Sequence, residues 1–339
     1  MRIEELDYGL PPELIAQTPI EPRDSARLLV DQGAKSIPLH RRVQDLVEFC
    51  HEGDVIVVND TKVIPARLRL FRRTGGAAEV LLLERVAGSA VVWEALVRPA
   101  KRLKPGELLS ARDGTQLVRV GQRTEAGDTF EVEFVADNDS AARDLLVKHG
   151  EIPLPPYITS SLDRPDRYQT VYANRPASAA APTAGLHFTP QLLNALESNR
   201  VKILRVDLSI GLDTFAPVTE ADPLRHPMHS EHYEVSEETL EQCGKAERVI
   251  AVGTTATRAL ESAATSGALE GRTKLFISRG YEFKVVDLMM TNFHMPRTTL
   301  LMMIDAFVGD RWRDLYAAAI GERYRMLSFG DAMLLDRRL

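Results

Sequence analysis

The 339-residue chain exceeds the roughly 250–300 residues at which one hydrophobic core usually stops growing, so two domains are expected. With 44% hydrophobic and 27% charged residues it reads as a globular protein, and its net charge of −6 argues against a generic nucleic-acid coat. Cys50 and Cys243 lack ligand spacing, the acidic start "MRIEELDYGL" lacks a signal-peptide core, and no apolar run nears the ~20 residues of a membrane span; a cytoplasmic protein without disulfides or membrane segments is expected.

The first strong strand signal, "DVIVVNDT", ends in Asn59, Asp60 and Thr61. From residue 66 to 152 the pattern changes to short β-type runs, among them "AEVLLLERV", "AVVWEALVR", "TQLVRVGQR" and "DTFEVEFVA". Turn signals such as "KPG" and "RDG" separate them, which predicts a small antiparallel barrel or sandwich. The proline-rich "GEIPLPPYI" makes a return hinge. Beyond it, Thr189 and Pro190 read as N-cap and first residue of a helix over "QLLNALESNR". Strands then alternate with helices: "VKILRVDLSI", "ERVIAVGTT" into "ATRALESAATSG", and "VVDLMMTNF" into "TTLLMMIDAFVGD". The expected fold class is an α/β main domain, residues 1–65 plus 153–339, with a small antiparallel β domain inserted at 66–152.

In an open α/β sheet, ligands bind beyond the carboxyl ends of the strands. Four junctions there are dense in small polar groups. They carry Asn59, Asp60 and Thr61; Thr183, Gly185 and His187 in "APTAGLHFTP"; Gly253, Thr254 and Thr255; and Asn292, His294 and Arg297. Each residue alone can be a cap or a satisfied structural group; together they suggest one pocket for a ligand bearing a carboxylate or phosphate, attracted by helix N-termini. Asp60 offers the opposite sign, for an ammonium or other cation. GxGxxG, GxxxxGK[ST] and GxSxG are absent, which removes the common dinucleotide, phosphate-loop and hydrolase signatures. "HPMHSEHYEV" spaces His226, His229 and His232 three apart around Glu231, but Pro227 and the strand-like "HYEV" favour a turn and a substrate-facing or structural role, so no metal is expected. Two basic clusters lie in the middle segment: Arg67, Arg69, Arg72 and Arg73, then Arg98, Lys101, Arg102 and Lys104. They read as solvated strand faces or as an RNA contact.

The same junctions carry a resemblance. "IAQTPIEPRDSARLLV", "GDVIVVNDTKVIPARL", "RYQTVYA", "APTAGLHFT", "MHSEHYEV", "VGTTATRALES", "GYEFKVVDLMMTNFHMPRTTLLMMI" and "ERYRMLSFGDAML" resemble, in order and from end to end, the S-adenosylmethionine:tRNA ribosyltransferase-isomerases of the queuosine pathway. The resemblance implies an α/β domain with an inserted β-barrel. It also implies transfer and isomerisation of the ribosyl part of S-adenosylmethionine onto a 7-aminomethyl-7-deazaguanine at the wobble position of a tRNA anticodon. One departure stands out: where the family pattern reads "LHVGLGTF", this chain has "LSIGLDTF", with Ser209 for a histidine and Asp213 for a glycine. A paralogue acting on another acceptor and a non-catalytic RNA-binding protein are the competing readings.

Such a reaction needs a base near the ribose C5′, a donor at the departing adenine and charge complementarity for the methionine part. His187 or His294 suits proton transfer, because imidazole titrates near neutral pH. Thr254, Thr255 and Arg297 suit the methionyl carboxylate, Asp60 and Glu231 the sulfonium or an amine, and Asn59 the adenine or ribose. Thr61, Thr183, Gly185, His229, Gly253 and Asn292 complete the expected binding set. The two basic clusters are expected to follow the tRNA backbone. No cofactor is expected beyond S-adenosylmethionine as substrate, and the chain is expected to act as a monomer.

Overall fold

The structure is a computed structural model and describes residues 2–86, 88–124, 127, 129–211, 220, 223 and 230–339. Two units are defined: Met1–Lys62, Pro155–Arg175 and Ala181–Leu339 form one, Val63–Leu154 and Pro176–Ala180 the other. The first unit opens with β1 (Arg27–Val30), β2 (Leu39–Arg42) and β3 (Asp54–Asn59), and a short β4 (Thr61–Val63) follows.

The second unit is a closed barrel. Its strands are β5 (Arg67–Arg72), β6 (Ala77–Arg85), β7 (Val92–Arg98), β8 (Leu108–Ser110), β9 (Gln116–Arg123) and β10 (Phe130–Phe134). The sheet runs β5-β6-β7-β10-β9-β8, and β5 also pairs with β8, which removes the free edges. Burial alternates strictly along β10, so Phe130, Val132 and Phe134 face the core between outward Glu131 and Glu133. A helix α1 (Asp139–His149), capped by Asn138 accepting from the Ala141 N–H at 3.0 Å, leads into β11 (Gly150–Glu151) beside β5. That helix has no counterpart among the elements expected of this segment.

The chain continues through β12 (Arg175–Ser178), a 3₁₀ turn at Thr183–His187 and α2 (Pro190–Ser198), whose N-cap Thr189 accepts from the Leu192 N–H at 3.1 Å. Then come β13 (Lys202–Leu208), β14 (Glu231–Val235), α3 (Glu237–Lys245), β15 (Arg248–Val252), α4 (Gly253–Ser266), β16 (Glu270–Thr273), β17 (Leu288–Asn292), α5 (Thr299–Val308), α6 (Arg311–Gly321) and β18 (Ala332–Asp336). The first unit's nine-stranded sheet has the order β16-β14-β13-β3-β15-β17-β18-β1-β2. Its centre, β13-β3-β15-β17, is parallel. All six residues of β3 are buried, as expected of a central parallel strand covered on both faces. Ile56, Val58, Ile250, Val252 and Met290 share one core with Phe188, Leu192 and Leu196, which seats the 3₁₀ turn and α2 against the sheet. Among the described residues, no helix is long and apolar enough to cross a membrane.

Candidate active site

Because β13, β3, β15 and β17 run in one direction, their carboxyl ends meet at a single edge of the sheet. There β15 passes into α4 without an intervening residue, and Gly253 makes the turn with φ of 88°. A side chain would be strained at that angle, and a Cβ there would meet the Ala184 Cβ of the 3₁₀ turn at 3.3 Å. Two walls thus approach closely around a cavity. Thr183, Gly253, Thr254, Thr255, Asn292 and His294 all line it, joined by Tyr157, Ile210, Phe293 and Ser328.

Asn292, at the end of β17, ties two of these walls together. Its Oδ1 accepts from Thr183 Oγ1 at 3.0 Å, and its Nδ2 donates to His187 Nε2 at 3.1 Å. His187 is therefore a neutral imidazole with an acceptor toward Asn292, and burial lowers its pKa to about 4. His294 Nε2 lies 3.1 Å from Thr291 Oγ1, and burial lowers its pKa to about 3. Its backbone is clamped: the carbonyl accepts from the Tyr8 hydroxyl at 2.5 Å, and the N–H donates to the Tyr316 hydroxyl at 2.9 Å. Thr255 Oγ1 is buried, has no hydrogen-bond partner among the described residues and lies at the α4 N-terminus in the cavity wall. An unsatisfied hydroxyl beside helix N–H groups is what a carboxylate or other acceptor would complete.

Both histidines also set an acid dependence. Each binds a proton less readily folded than in the unfolded chain, whose ordinary value is 6.5. Their contribution is complete above that value, and stability falls as pH falls through the interval down to about 4 for His187 and about 3 for His294. Between pH 6.5 and 4.5 each is expected to remove roughly 2 kcal/mol. Urea unfolding at the two pH values checks this, and His187→Gln is expected to halve the joint effect.

Several predicted residues lie elsewhere. Asn59 is fully buried and its amide is spent on structure: Nδ2 donates to the Leu208 carbonyl at 3.0 Å, while Oδ1 accepts from the Thr61 and Leu208 N–H groups. Thr61 is buried beside it. Asp60 faces a different cavity with Arg175, Arg205 and Asp207, 3.7 Å from Arg205. Desolvation raises its pKa, and the two arginines oppose that shift. Gly185 does not line the cavity; a Cβ there would sit 2.0 Å from the Tyr172 hydroxyl, so its absence of side chain serves packing. Glu231 is held in a buried pair with Arg258. Arg297 adopts φ of 58°, pairs with Asp7 and does not line the cavity. His226, His229 and Asp213 lie outside the described residues. Ser209 donates its backbone N–H to the His232 carbonyl at 3.0 Å, one residue before Ile210 enters the cavity wall. Tyr8, Tyr157 and Tyr316 are the site residues that sequence reasoning missed, because a lone tyrosine carries no spacing signal.

Within the barrel, the two basic clusters meet, since Arg72 donates to the Arg102 carbonyl at 2.9 Å. Arg72 is neutralised by Glu107 at 2.7 Å and Arg69 by Glu151 at 2.9 Å. Arg67 is half-buried, and its Nε is buried without a hydrogen-bond partner among the described residues. Arg73, Arg98, Lys101, Arg102 and Lys104 are exposed.

A parallel-sheet edge that gathers a neutral histidine, a helix N-terminus and an unsatisfied hydroxyl, in a chain that also carries a closed barrel, defines a two-unit α/β enzyme for a small polar substrate. The family model described as queuosine biosynthesis protein matches residues 3–335, and the chain belongs to that family. Named S-adenosylmethionine:tRNA ribosyltransferase-isomerase, the protein of Rubrobacter xylanophilus is 50% identical over 99% of this chain and 98% of its own length. The protein of that name from Thermus thermophilus is 48% identical over 98% of this chain and 99% of its own. The crystal structure of S-adenosylmethionine tRNA ribosyltransferase from Thermotoga maritima is similar with a TM-score of 0.55 and 36% identity, covering 97% of this chain and 99% of that one.

Proposed function

We propose that this chain is an S-adenosylmethionine:tRNA ribosyltransferase-isomerase. It transfers and isomerises the ribosyl moiety of S-adenosylmethionine onto 7-aminomethyl-7-deazaguanine in tRNA, giving epoxyqueuosine and releasing adenine and methionine. The observation that carries the reading is the convergence of Thr183, Gly253, Thr254, Thr255, Asn292 and His294 on one cavity. The α4 N-terminus with Thr254 and Thr255 takes the methionyl carboxylate, in place of Arg297. Sulfonium charge acidifies the ribose C5′ hydrogens, and His294, in the cavity wall, is the group placed to accept a proton. His187 acts through Asn292, fixing the amide that reaches the cavity. The acceptor base reaches the site splayed out of the anticodon loop. The enzyme works as a cytoplasmic monomer and needs no cofactor besides this substrate.

Incubation with S-adenosylmethionine and tRNA bearing the aminomethyl-deazaguanine, followed by nuclease digestion and mass spectrometry, tests the reading. Epoxyqueuosine together with free adenine is the expected product pair. Adenine release with no modified nucleoside would redirect the enzyme to another acceptor.

A further inference from the structure

Along β5, burial alternates so that Leu68 and Leu70 point into the barrel while Arg69 and Phe71 point out. Phe71 retains 39% of its surface, and it is the one aromatic side chain in the exposed class among the described residues. Its cross-strand neighbours are small: Ala77 lies opposite on β6 and Ser110 opposite on β8. Neither can cover the ring. Solvent-facing phenylalanine forgoes part of the stabilisation that full burial supplies. A single exposed apolar residue is ordinary by itself. What sets this one apart is its surroundings: exposed Arg73 follows at the turn, and the Arg102 carbonyl is bound by Arg72, which brings the exposed Lys101, Arg102 and Lys104 segment to the same end of β5. An open ring framed by cations on a barrel strand is the chemistry of single-stranded nucleic-acid binding, where bases stack on aromatic faces and the backbone follows the positive groups.

We infer that Phe71 is a stacking platform for an unpaired RNA base, with Arg73, Arg102 and Lys104 holding the adjoining phosphates. This rests on the tRNA-modifying reading and adds the site on the barrel that grips the loop. Stacking is indifferent to base identity, so Phe71 contributes grip while discrimination of the acceptor belongs to the cavity.

The test uses the full chain and a fluorescein-labelled RNA hairpin with a seven-nucleotide loop, titrated at several salt concentrations. Phe71→Ala is expected to weaken binding at least about fivefold, the lower end of one base stack, with an unchanged salt slope. Arg73→Glu is expected to flatten the log–log slope by roughly 0.7, one single-strand phosphate contact. Phe71→Trp is expected to retain affinity and to show emission quenched by RNA; the native Trp93 and Trp312 are buried, at 7% and 1% exposure, and are unaffected. A wild type that binds the hairpin in a salt-dependent way while Phe71→Ala binds equally well overturns the stacking platform and leaves the tRNA reading standing. Unquenched Phe71→Trp at saturation overturns it too. A wild type with no affinity for the hairpin at any salt removes both.

Discussion

Replacing His294 with alanine is expected to slow adenine release from S-adenosylmethionine by about a hundredfold or more, the lower end of what a positioned proton-transfer group supplies. The ring lines the cavity, Thr291 orients Nε2, and Tyr8 and Tyr316 pin the backbone from both sides. With a pKa near 3 the imidazole is uncharged throughout the neutral range, so its titration leaves no inflection in kcat/KM between pH 6 and 8. His187→Ala is expected to act more mildly, because that ring touches the cavity only through the Asn292 amide. Single-turnover assays with saturating S-adenosylmethionine and the aminomethyl-deazaguanine tRNA distinguish the two. A His294→Ala rate within threefold of wild type would take proton transfer away from His294.

The parallel core was legible because its strands end in the same way: an apolar run stops at small polar residues and a helix follows. Gly253, Thr254 and Asn292 share one cavity for that reason. The Thr189–Pro190 signal predicted the start of α2. The same logic misdirected Asn59, which occupies a strand end yet spends its amide holding β3 to β13. Arg297 was read as a ligand cation because its charge was visible and its counter-ion was not: Asp7 lies almost a full chain length away. Tyr8 and Tyr316 were silent for the mirror reason, since contacts to His294 from 286 and 22 positions away leave no local pattern. In the barrel, alternation marked the strands, whereas the registers that set Ala77 and Ser110 against Phe71 follow from closure.

Loss of the Glu261 carboxylate is expected to destabilise the protein by about 3–5 kcal/mol. Glu261 is 0% exposed on α4, with no salt-bridge partner among the described residues. Four donors compensate its burial: Oε1 accepts from the Val285 and Val286 N–H groups, each at 3.0 Å, and Oε2 from the Lys284 N–H at 2.9 Å and the Tyr281 hydroxyl at 3.0 Å. Three are backbone groups of the segment that enters β17, so one side chain joins the helix whose N-terminus forms the cavity to the strand that ends at Asn292. Glu261→Ala orphans all three N–H groups, each costing about 1–3 kcal/mol where buried. Glu261→Gln is expected to be nearly as damaging, since its amide turns two donors against donors. Lys284→Ala is the control: Glu261 holds the backbone there, so the change is expected to stay within about 0.5 kcal/mol. Urea unfolding of the three variants gives the comparison, and amide hydrogen exchange at residues 284–286 locates it. A Glu261→Ala loss below about 1 kcal/mol would mean that the segment entering β17 is anchored by its other contacts, and that the α4 N-terminus does not depend on this carboxylate for its position.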